Sequence, residues 1–588
     1  MSDALESSPY AGRWVARLEG RIVAHGGTPE QARLAAQKGH FKERLEIDYV
    51  QPAALLPLSP LVERVRLALP DQEIYLVGGA VRDALLGKTS HDLDFAVPRN
   101  AIPLARRVAD ALRGDFYILD ESFDTARVIV RAISPGELAL TQGATMEPPA
   151  GRDFLDFASY RSAKGPSGSA THRPETLEAD LRGRDFTVNA MAYDVRNGTI
   201  LDPFAGAADL RARIIRAVTN TALEDDPIRI LRGVRLAAAL DFKIDPSTRR
   251  AMKASAHLLP AISPERQRDE LFRMLDGPRP DASLRAVEML GVFPYLLPEL
   301  AAMKGVGQSA PHVADVWEHT LGVIRQLDDI LAALALSRSA EDNGDLFTGM
   351  LSLRLGRYRE QFAQHFAMAL NPDRSLRALL FLAALYHDVA KPATKTVEAS
   401  GRIRFFGHDA DGAEAAARRG RAFNLSNGEV ERLQRIIANH MRFHFHVNRL
   451  EVEGKQPSRR AIYRFFRDSG SAGVDLVLLG LADLRGTRGH LLTEATWASG
   501  LEIARLFLEN YWEKPEESIS PPRLLNGNEL MHEMELSPGP VVGQLLNAIE
   551  EAQAMGQLGS RDQAITFARE WLAAKGGRPA EDATGSSR

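Results

Sequence analysis

The chain has 588 residues, 45% of them hydrophobic and 26% charged, a formal net charge of −4, and no cysteine. Its length implies roughly three to five domains and its composition is ordinary for a soluble globular protein. The missing cysteine excludes disulfides, thiol catalysis and cysteine-ligated zinc, leaves His, Asp, Glu and carbonyl oxygens to hold any metal, and fits a cytoplasmic protein.

The N-terminal MSDALESSPY lacks the apolar core of a signal peptide. Residues 11–40 read as a strand (Arg13 to Leu18), a Glu-Gly turn, a strand (Arg21 to His25) and a helix capped by Thr28, with Pro29 at its first position. This ββα unit carries no catalytic constellation. A Pro- and Leu-rich stretch, Gln51 to Pro60, reads as a linker. From about 61 to 205 helices alternate with apolar strands (Tyr75–Val77, Asp94–Val97, Phe116–Leu119, Arg127–Val130, Phe154–Phe157), the pattern of an α/β sheet domain. Residues 163–171, AKGPSGSAT, read as a mobile loop. Beyond about 206 strand signals nearly vanish and helical periodicity dominates. Loops are expected at Asn343–Asp345 and Gly454–Ser458, and the tail from Lys575 reads as disordered. No apolar run approaches the about 18 residues a spanning helix needs, so no membrane segment is expected.

The most informative segment is residues 77–97, VGGAVRDALLGKTSHDLDFAV. Gly78 and Gly79 allow backbone N–H groups to approach a ligand closely, and the helix start behind them favours phosphate. Asp92 and Asp94 lie two apart, and on a strand alternate side chains share a face, so both carboxylates address one spot suited to Mg²⁺. Phosphates and Mg²⁺ meeting there would support nucleotidyl transfer. Alone, Asp-x-Asp is most often a solvated turn; the GG-x-VRD-x-LLG run at this distance reverses that reading. Farther on, Asp185 and Asn189 lie four apart, which on a helix places them on one face to bind ribose or phosphate. In DDPIRILRGVR, Asp226 is suited to cap a helix before Pro227, and Arg229, Arg232 and Arg235 could be a solvated stripe. SPERQRDEL, from Ser263, reads alone as a capped helix start.

In order and together, these motifs resemble those of the class II tRNA nucleotidyltransferases, which comprise the bacterial CCA-adding enzymes and related poly(A) polymerases within the polymerase-β-like superfamily. The resemblance covers roughly residues 70–300 and implies an α+β fold, with a polymerase-β-like head followed by an all-α neck, HD domain and tail. By that resemblance Asp92 and Asp94 are the catalytic Mg²⁺ ligands, and Gly78, Gly79, Arg82 and Asp83 shape the triphosphate pocket. Arg184, Asp185 and Asn189 contact the incoming nucleotide, and Asp156 is a candidate third carboxylate. Asp226 and Arg229, with Arg232 beside them, serve as a protein template for nucleotide choice. The chemistry suits that role: a carboxylate accepts and a guanidinium donates. Cytosine and adenine both set an amino donor beside a ring-nitrogen acceptor, whereas uracil and guanine reverse the order and leave buried polar groups unpaired. The family usually has Glu before that Asp; here Asp225 stands there. A flexible loop like 163–171 accompanies addition of the terminal A, and the arginine-rich signature of poly(A) polymerases is not visible in ILDESFDTARVIV.

A second constellation comprises His319, His387-Asp388, His408, His440 and Asp483. Its order resembles the HD-domain metal-dependent phosphohydrolases, an all-helical fold, with His408 and His440 matching the extra ligands of two-metal variants. Such a set can enclose divalent transition metals or Mg²⁺. His444 and His446 fit no ligand pattern. The segment from LLNGNEL onward resembles the tail of HD-containing members of the family, which implies a tRNA-binding role.

The expected division is residues 1–50 (small module), 60–210 (head), 211–305 (neck), 306–510 (HD domain), 511–574 (helical tail) and 575–588 (disordered tail). The resemblance implies CCA addition to tRNA from CTP and ATP, with HD-dependent phosphoester hydrolysis for 3′-end repair. Poly(A) polymerase, a partial CC- or A-adding enzyme, and chiefly an HD phosphohydrolase are the alternatives. Oligomeric state is left open.

Overall fold

The computed structural model describes residues 13–18, 21–26, 28–37, 46–50, 56–131, 152–160, 176–337 and 344–576. The 163–171 loop, residues 51–55 of the 51–60 linker and the tail after 576 lie outside the described residues. Contacts divide the chain into two units, Met1–Asp226 with Lys243–Thr248, and Pro227–Phe242 with Arg249–Arg588.

In the first unit the N-terminal module has strands β1 (Arg13–Leu18), β2 (Arg21–Gly26) and β3 (Glu46–Val50), ordered β2-β1-β3, and a helix Pro29–Gln37. The Gln31 backbone N–H donates to Thr28 Oγ1 at 3.2 Å, as a capping Thr28 requires. β3 was not expected from the sequence, so the module is ββαβ.

The head is a seven-stranded sheet of β4 (Tyr75–Val77), β5 (Asp92–Val97), β6 (Asp115–Asp120), β7 (Thr125–Arg131), β8 (Arg152–Ser159), β9 (Ala192–Asp194) and β10 (Thr199–Leu201). The order is β10-β9-β4-β5-β8-β7-β6, with β5 and β8 parallel and the other pairs antiparallel. Period-two alternation sorts each central strand. Leu93, Phe95 and Val97 of β5 and Leu155 and Phe157 of β8 are buried, and Phe95 stacks on Phe157 at 4.9 Å. The helix Ala101–Leu112 contributes buried Leu104, Ala105 and Val108. The alternate positions, Asp92, Asp94 and Asp156, share the opposite face.

The second unit is helical, and its core helix Leu376–Tyr386 is buried along nearly its whole length, as LRALLFLAALY dictates by being apolar on every side. The helices Val316–Ala333 and Gly473–Arg488 approach closely: a Cβ on Gly486 would sit 2.8 Å from Val323 Cγ2. Arg374 and Glu429, both buried, form a two-pronged ion pair at 2.7 and 2.8 Å. The helices Gly527–Met534, Pro540–Ala554 and Arg561–Gly576 form a separate cluster around Leu530, Leu545 and Ile549. The last helix takes in Lys575 and Gly576, which composition alone had assigned to the disordered tail. Short strands also persist beyond residue 206, at Ile214–Ile215, Lys243–Ile244, Lys395–Val397 and Ile403–Phe405, each too brief to leave a periodic signal. No helix among the described residues is long and apolar enough to cross a membrane.

Candidate active sites

β4 delivers the chain to Gly78, whose φ of 75° and ψ of −137° is a conformation that L side chains rarely adopt. The helix Gly79–Leu85 follows at once, carrying Arg82 and Asp83. A Cβ on Gly78 would lie 3.3 Å from Asp94 Oδ2 and 3.2 Å from Arg184 Nη1, so one small gap is walled by backbone, carboxylate and guanidinium. Val77 and Asp94 are register partners on β4 and β5, as are Asp94 and Asp156 on β5 and β8. Asp92 is exposed and Asp94 half-buried at the start of β5. Asp156 arrives already paired: Arg127 Nε and Nη2 donate to its two oxygens, each at 2.7 Å, and this pairing raises the Arg127 pKa. The sequence reading did not single out Arg127.

A hydrogen-bonded chain buttresses the gap. Arg82 Nη1 donates to Asn189 Oδ1 at 2.7 Å and Arg82 Nε to Asp83 Oδ1 at 2.8 Å. Asn189 Nδ2 donates to Asp185 Oδ1 at 3.1 Å, and that oxygen also accepts the Phe186 N–H at 2.7 Å. Arg184 is held by buried Asp180, its Nη2 donating to Oδ2 at 3.2 Å. The expected α-helical face for Asp185 and Asn189 is corrected: only Thr187–Asn189 is helical, a single 3₁₀ turn, yet it still joins the two side chains. The expected capping role of Asp226 is also corrected. Asp226 is extended (φ −147°, ψ 91°) after the helix Ala222–Asp225, and Ile228 is the N-cap of the helix Arg229–Leu240. On that helix Arg229 is half-buried and Arg232 exposed. Arg235 is no part of a solvated stripe, because its Nε donates to buried Glu270 at 2.7 Å.

The Gly78 geometry carries a prediction. Gly78→Ala should cost about 1–3 kcal/mol of backbone strain and crowd Arg184 against Asp94. A lowered Tm and roughly tenfold weaker binding of a triphosphate in the gap are expected, the latter from about 1.4 kcal/mol of lost binding. Denaturation and binding that both match the parent protein would refute it.

In the second unit all six residues of the His/Asp constellation converge. His319 comes from the helix Val316–Ala333, His387-Asp388 from the end of the core helix, and His408 from the start of the helix His408–Ala422. His440 stands between the helices Asn427–Asn439 and Met441–Glu453, and Asp483 lies on Gly473–Arg488. They form two groups with ligand atoms mutually within 4.8 Å: His319, His387 and Asp483, and Asp388, His408 and His440. Asp388 joins the groups, with Oδ2 at 3.4 and 3.2 Å from His319 and His387 Nε2, and Oδ1 at 3.5 and 3.9 Å from His408 and His440 Nε2. All six are buried.

The imidazole geometry suits a cation. In His387, His408 and His440 the Nδ1 atom lies 2.7 Å from the carbonyl oxygens of Ala384, Phe405 and Ile437. A carbonyl only accepts, so each Nδ1 carries hydrogen and each Nε2 is the ring nitrogen turned toward the cluster and open to ligation. The lone pairs of His408 and His440 face each other at 3.2 Å, an arrangement that a shared cation relieves. Burial pushes His440 down to about 3. In His319 the same burial effect is outweighed by Asp388 and Asp483, which lift it to about 9. Asp388 and Asp483 stay well below the usual carboxylate range, because their cationic and hydrogen-bonding neighbours outweigh burial. The donor set therefore fits divalent ions.

Three residues passed over by the sequence reading belong to this surrounding. Buried Lys391 places Nζ 2.7 Å from Asp388 Oδ2 and donates to Gln308 Oε1 at 2.7 Å. The His312 ring lies 5.2 Å from that of His319, and burial pushes its pKa down to about 4. His444 Nε2 lies 2.6 Å from Asp483 Oδ2, so it orients a member of the cluster. Its spacing of four from His440 was the available signal.

Family models match at residues 74–216 (Poly A polymerase head domain), 241–304 (an RNA- and SrmB-binding site of polymerase A), 352–466 (HD domain) and 521–568 (tRNA nucleotidyltransferase domain 2). The chain is 32% identical to the A-adding tRNA nucleotidyltransferase of Deinococcus radiodurans, over 84% of its own length and 95% of the relative. It is 32% identical to the CC-adding tRNA nucleotidyltransferase of Thermus thermophilus, over 87% and 95%. A multifunctional CCA protein of Pseudomonas aeruginosa is 36% identical over 43% of this chain and 58% of its own. Among solved structures, a CCA-adding enzyme bound to CTP matches with a TM-score of 0.51 at 19% identity, over 88% of this chain and 94% of that one.

Proposed function

Because the chain belongs to the tRNA nucleotidyltransferase family, we propose that it adds the CCA sequence to tRNA 3′ ends from CTP and ATP, without a nucleic-acid template. The observation that carries this reading is the Gly78 gap, where Asp94 and Arg184 meet beside Asp92. Asp92 and Asp94 would hold Mg²⁺, which when bound polarises the α-phosphate and favours the ionised 3′-hydroxyl. Gly78 and Gly79 bring the backbone close to the triphosphate. Arg184, fixed by Asp180, compensates phosphate charge, and Arg82, braced by Asn189 and Asp83, holds the nucleotide in place. In the transfer the tRNA 3′-oxygen bonds to the α-phosphorus, the bond to pyrophosphate breaks, and the hydroxyl proton passes to solvent.

Asp226 and Arg229 would select C and A by offering an acceptor and a donor to the base edge. Arg229→Ala is expected to cut incorporation of CTP and ATP roughly 10–100-fold, the cost of one unpaired buried hydrogen-bonding group. The ratio of either to UTP should fall with it, and single-nucleotide kinetics that retain the parent's ratios would remove the template role.

A second reading, a partial CC- or A-adding enzyme, is favoured by one observation: the relatives matched along 84% and 87% of this chain are an A-adding and a CC-adding tRNA nucleotidyltransferase. Gel-resolved extension of tRNA transcripts ending before CCA, after C and after CC decides among them. Growth by three nucleotides followed by arrest supports complete synthesis. Two C residues or a single A marks a partial enzyme, a long A ladder a polymerase, and no growth removes the reading.

We also propose that the six-residue cluster hydrolyses a phosphoester. Divalent ions held there, transition metals or Mg²⁺, would supply an activated water when bound. His444 steadies Asp483, and Lys391 compensates charge at Asp388. The cysteine-free composition supports a cytoplasmic location.

A further inference from the structure

One row of cross-strand partners runs through the head site. Val77 of β4 pairs with Asp94 of β5, Asp94 with Asp156 of β8, and Asp156 with Arg127 of β7. Gly78 follows Val77 at one end of the row, and Arg127 stands at the other. Residues directly opposite one another share a face, so Arg127 lies on the face of the carboxylates. It is fixed there on two sides. Nε and Nη2 donate to the two oxygens of Asp156, each at 2.7 Å, and the guanidinium lies 5.2 Å from the centre of the Phe154 ring. Among the described residues nothing accepts from Nη1, on a side chain that is 36% exposed. The hydrogen bond to Asp156 raises the Arg127 pKa, and the charges of Asp92 and Asp94 add to it, so all three carboxylates are within its electrostatic reach. An ion pair this accessible stabilises the fold only weakly, and the core of the sheet lies on the other face.

We propose that Arg127, braced by Asp156 and Phe154, holds the last phosphodiester of the tRNA acceptor through Nη1, and that Asp156 positions this arginine instead of ligating metal. This rests on the nucleotidyl-transfer reading above and deepens it by naming the group that receives the acceptor end. In phosphoryl-type transfer the attacking and leaving oxygens lie roughly in line across the phosphorus. The triphosphate belongs on the Gly78 side of Asp94, where Arg184 and the helix start meet it. An attacking 3′-oxygen therefore comes from the opposite side, past Asp156 and Arg127. The acceptor's last phosphodiester follows that oxygen one nucleotide back. It carries one negative charge and two oxygens that accept, which suits the open edge of a guanidinium already oriented by a carboxylate.

The test uses two versions of whichever tRNA acceptor the parent extends, alike except that one carries a neutral methylphosphonate as its last linkage. The adjoining 2′-hydroxyl is methylated in both to keep that linkage intact. Single-turnover extension by the full chain should be roughly tenfold slower with the neutral linkage, the loss of one charge-assisted hydrogen bond. Arg127→Ala should extend both at one reduced rate, with its affinity for CTP and ATP unchanged. A poorly folded preparation would lower both rates and leave their ratio intact, so the ratio reports the contact alone. Arg127→Lys, which keeps the charge but not the fork, should restore part of the preference. Binding of the two acceptors in Mg²⁺ without nucleotide should show the same preference in the parent and none in Arg127→Ala. Asp156→Asn should weaken the preference while manganese bound per chain, read by electron paramagnetic resonance, stays at the parent's value. A parent indifferent to the linkage, an Arg127→Ala variant that keeps the parent's ratio, or an equal loss of nucleotide binding would overturn the proposal. So would loss of manganese in Asp156→Asn, since that carboxylate would then be a metal ligand. If the parent extends no acceptor, the nucleotidyl-transfer reading falls and the proposal with it.

Discussion

Asp94→Ala is expected to abolish nucleotide addition, with incorporation of CTP and ATP reduced roughly a thousandfold or more. The magnitude follows from the role: losing a carboxylate that holds a catalytic cation forfeits several kcal/mol of transition-state stabilisation, and about 4 kcal/mol is three decades of rate. Asp94 is suited to show this cleanly. It is half-buried at the edge of the Gly78 gap, and its removal opens no hydrophobic core. Arg184, which faces the same gap, keeps its own ion pair with Asp180 at 3.2 Å. The sheet face beneath, with Leu93 and Phe95 packed on Leu155 and Phe157, is untouched. Circular dichroism and Tm should therefore match the parent while single-turnover extension of a tRNA ending before CCA is lost. Asp94→Asn, which keeps the shape and removes the charge, should behave alike. Extension within tenfold of the parent in both variants would sink the assignment of Asp94 as a metal ligand.

The head was legible because its signals are local. The two glycines, the period-two Asp-x-Asp and the flanking apolar strands all lie between residues 75 and 97 and rest on backbone geometry alone. Strands of three residues such as β9 and β10 escaped because such short segments carry little periodicity, and the five-residue β3, paired with β1, was missed as well. Asp226 shows how a correct chemical preference can mislead. Asp before Pro suits an N-cap, but here the helix begins two residues later and Asp226 is left extended. The pairing of Arg127 with Asp156 depends on strand register across 29 residues, which no one-dimensional pattern reports. The His/Asp cluster was legible only as an ordered set, by resemblance. Nothing in the immediate sequence of Lys391 and His312 distinguishes them from ordinary polar residues, and His444 offered only its spacing of four from His440.

Asp388 is where the second site should be most sensitive, because it alone joins both groups of the cluster. Alanine there would leave the Lys391 ammonium buried without its carboxylate, a change costly enough to confuse stability with function. Asparagine avoids this, since its amide oxygen can still accept from Lys391. Asp388→Asn is therefore expected to fold and to lose both metal ions, measured as metal per chain after dialysis. Phosphoester hydrolysis should fall by roughly a thousandfold, again several kcal/mol of lost metal-dependent stabilisation. The neutral amide cannot offset two divalent charges, and the converging lone pairs of His408 and His440 alone make a poor site. His440→Asn should instead remove the ion of one group, leaving His319, His387 and Asp483 to hold the other. Nucleotide addition at Asp92 and Asp94 should be unchanged in both variants, just as Asp94→Ala should leave hydrolysis intact. Retention of full metal content in Asp388→Asn would show that the carboxylate does not ligate. Parallel loss of tRNA extension would show that the two activities are not separable.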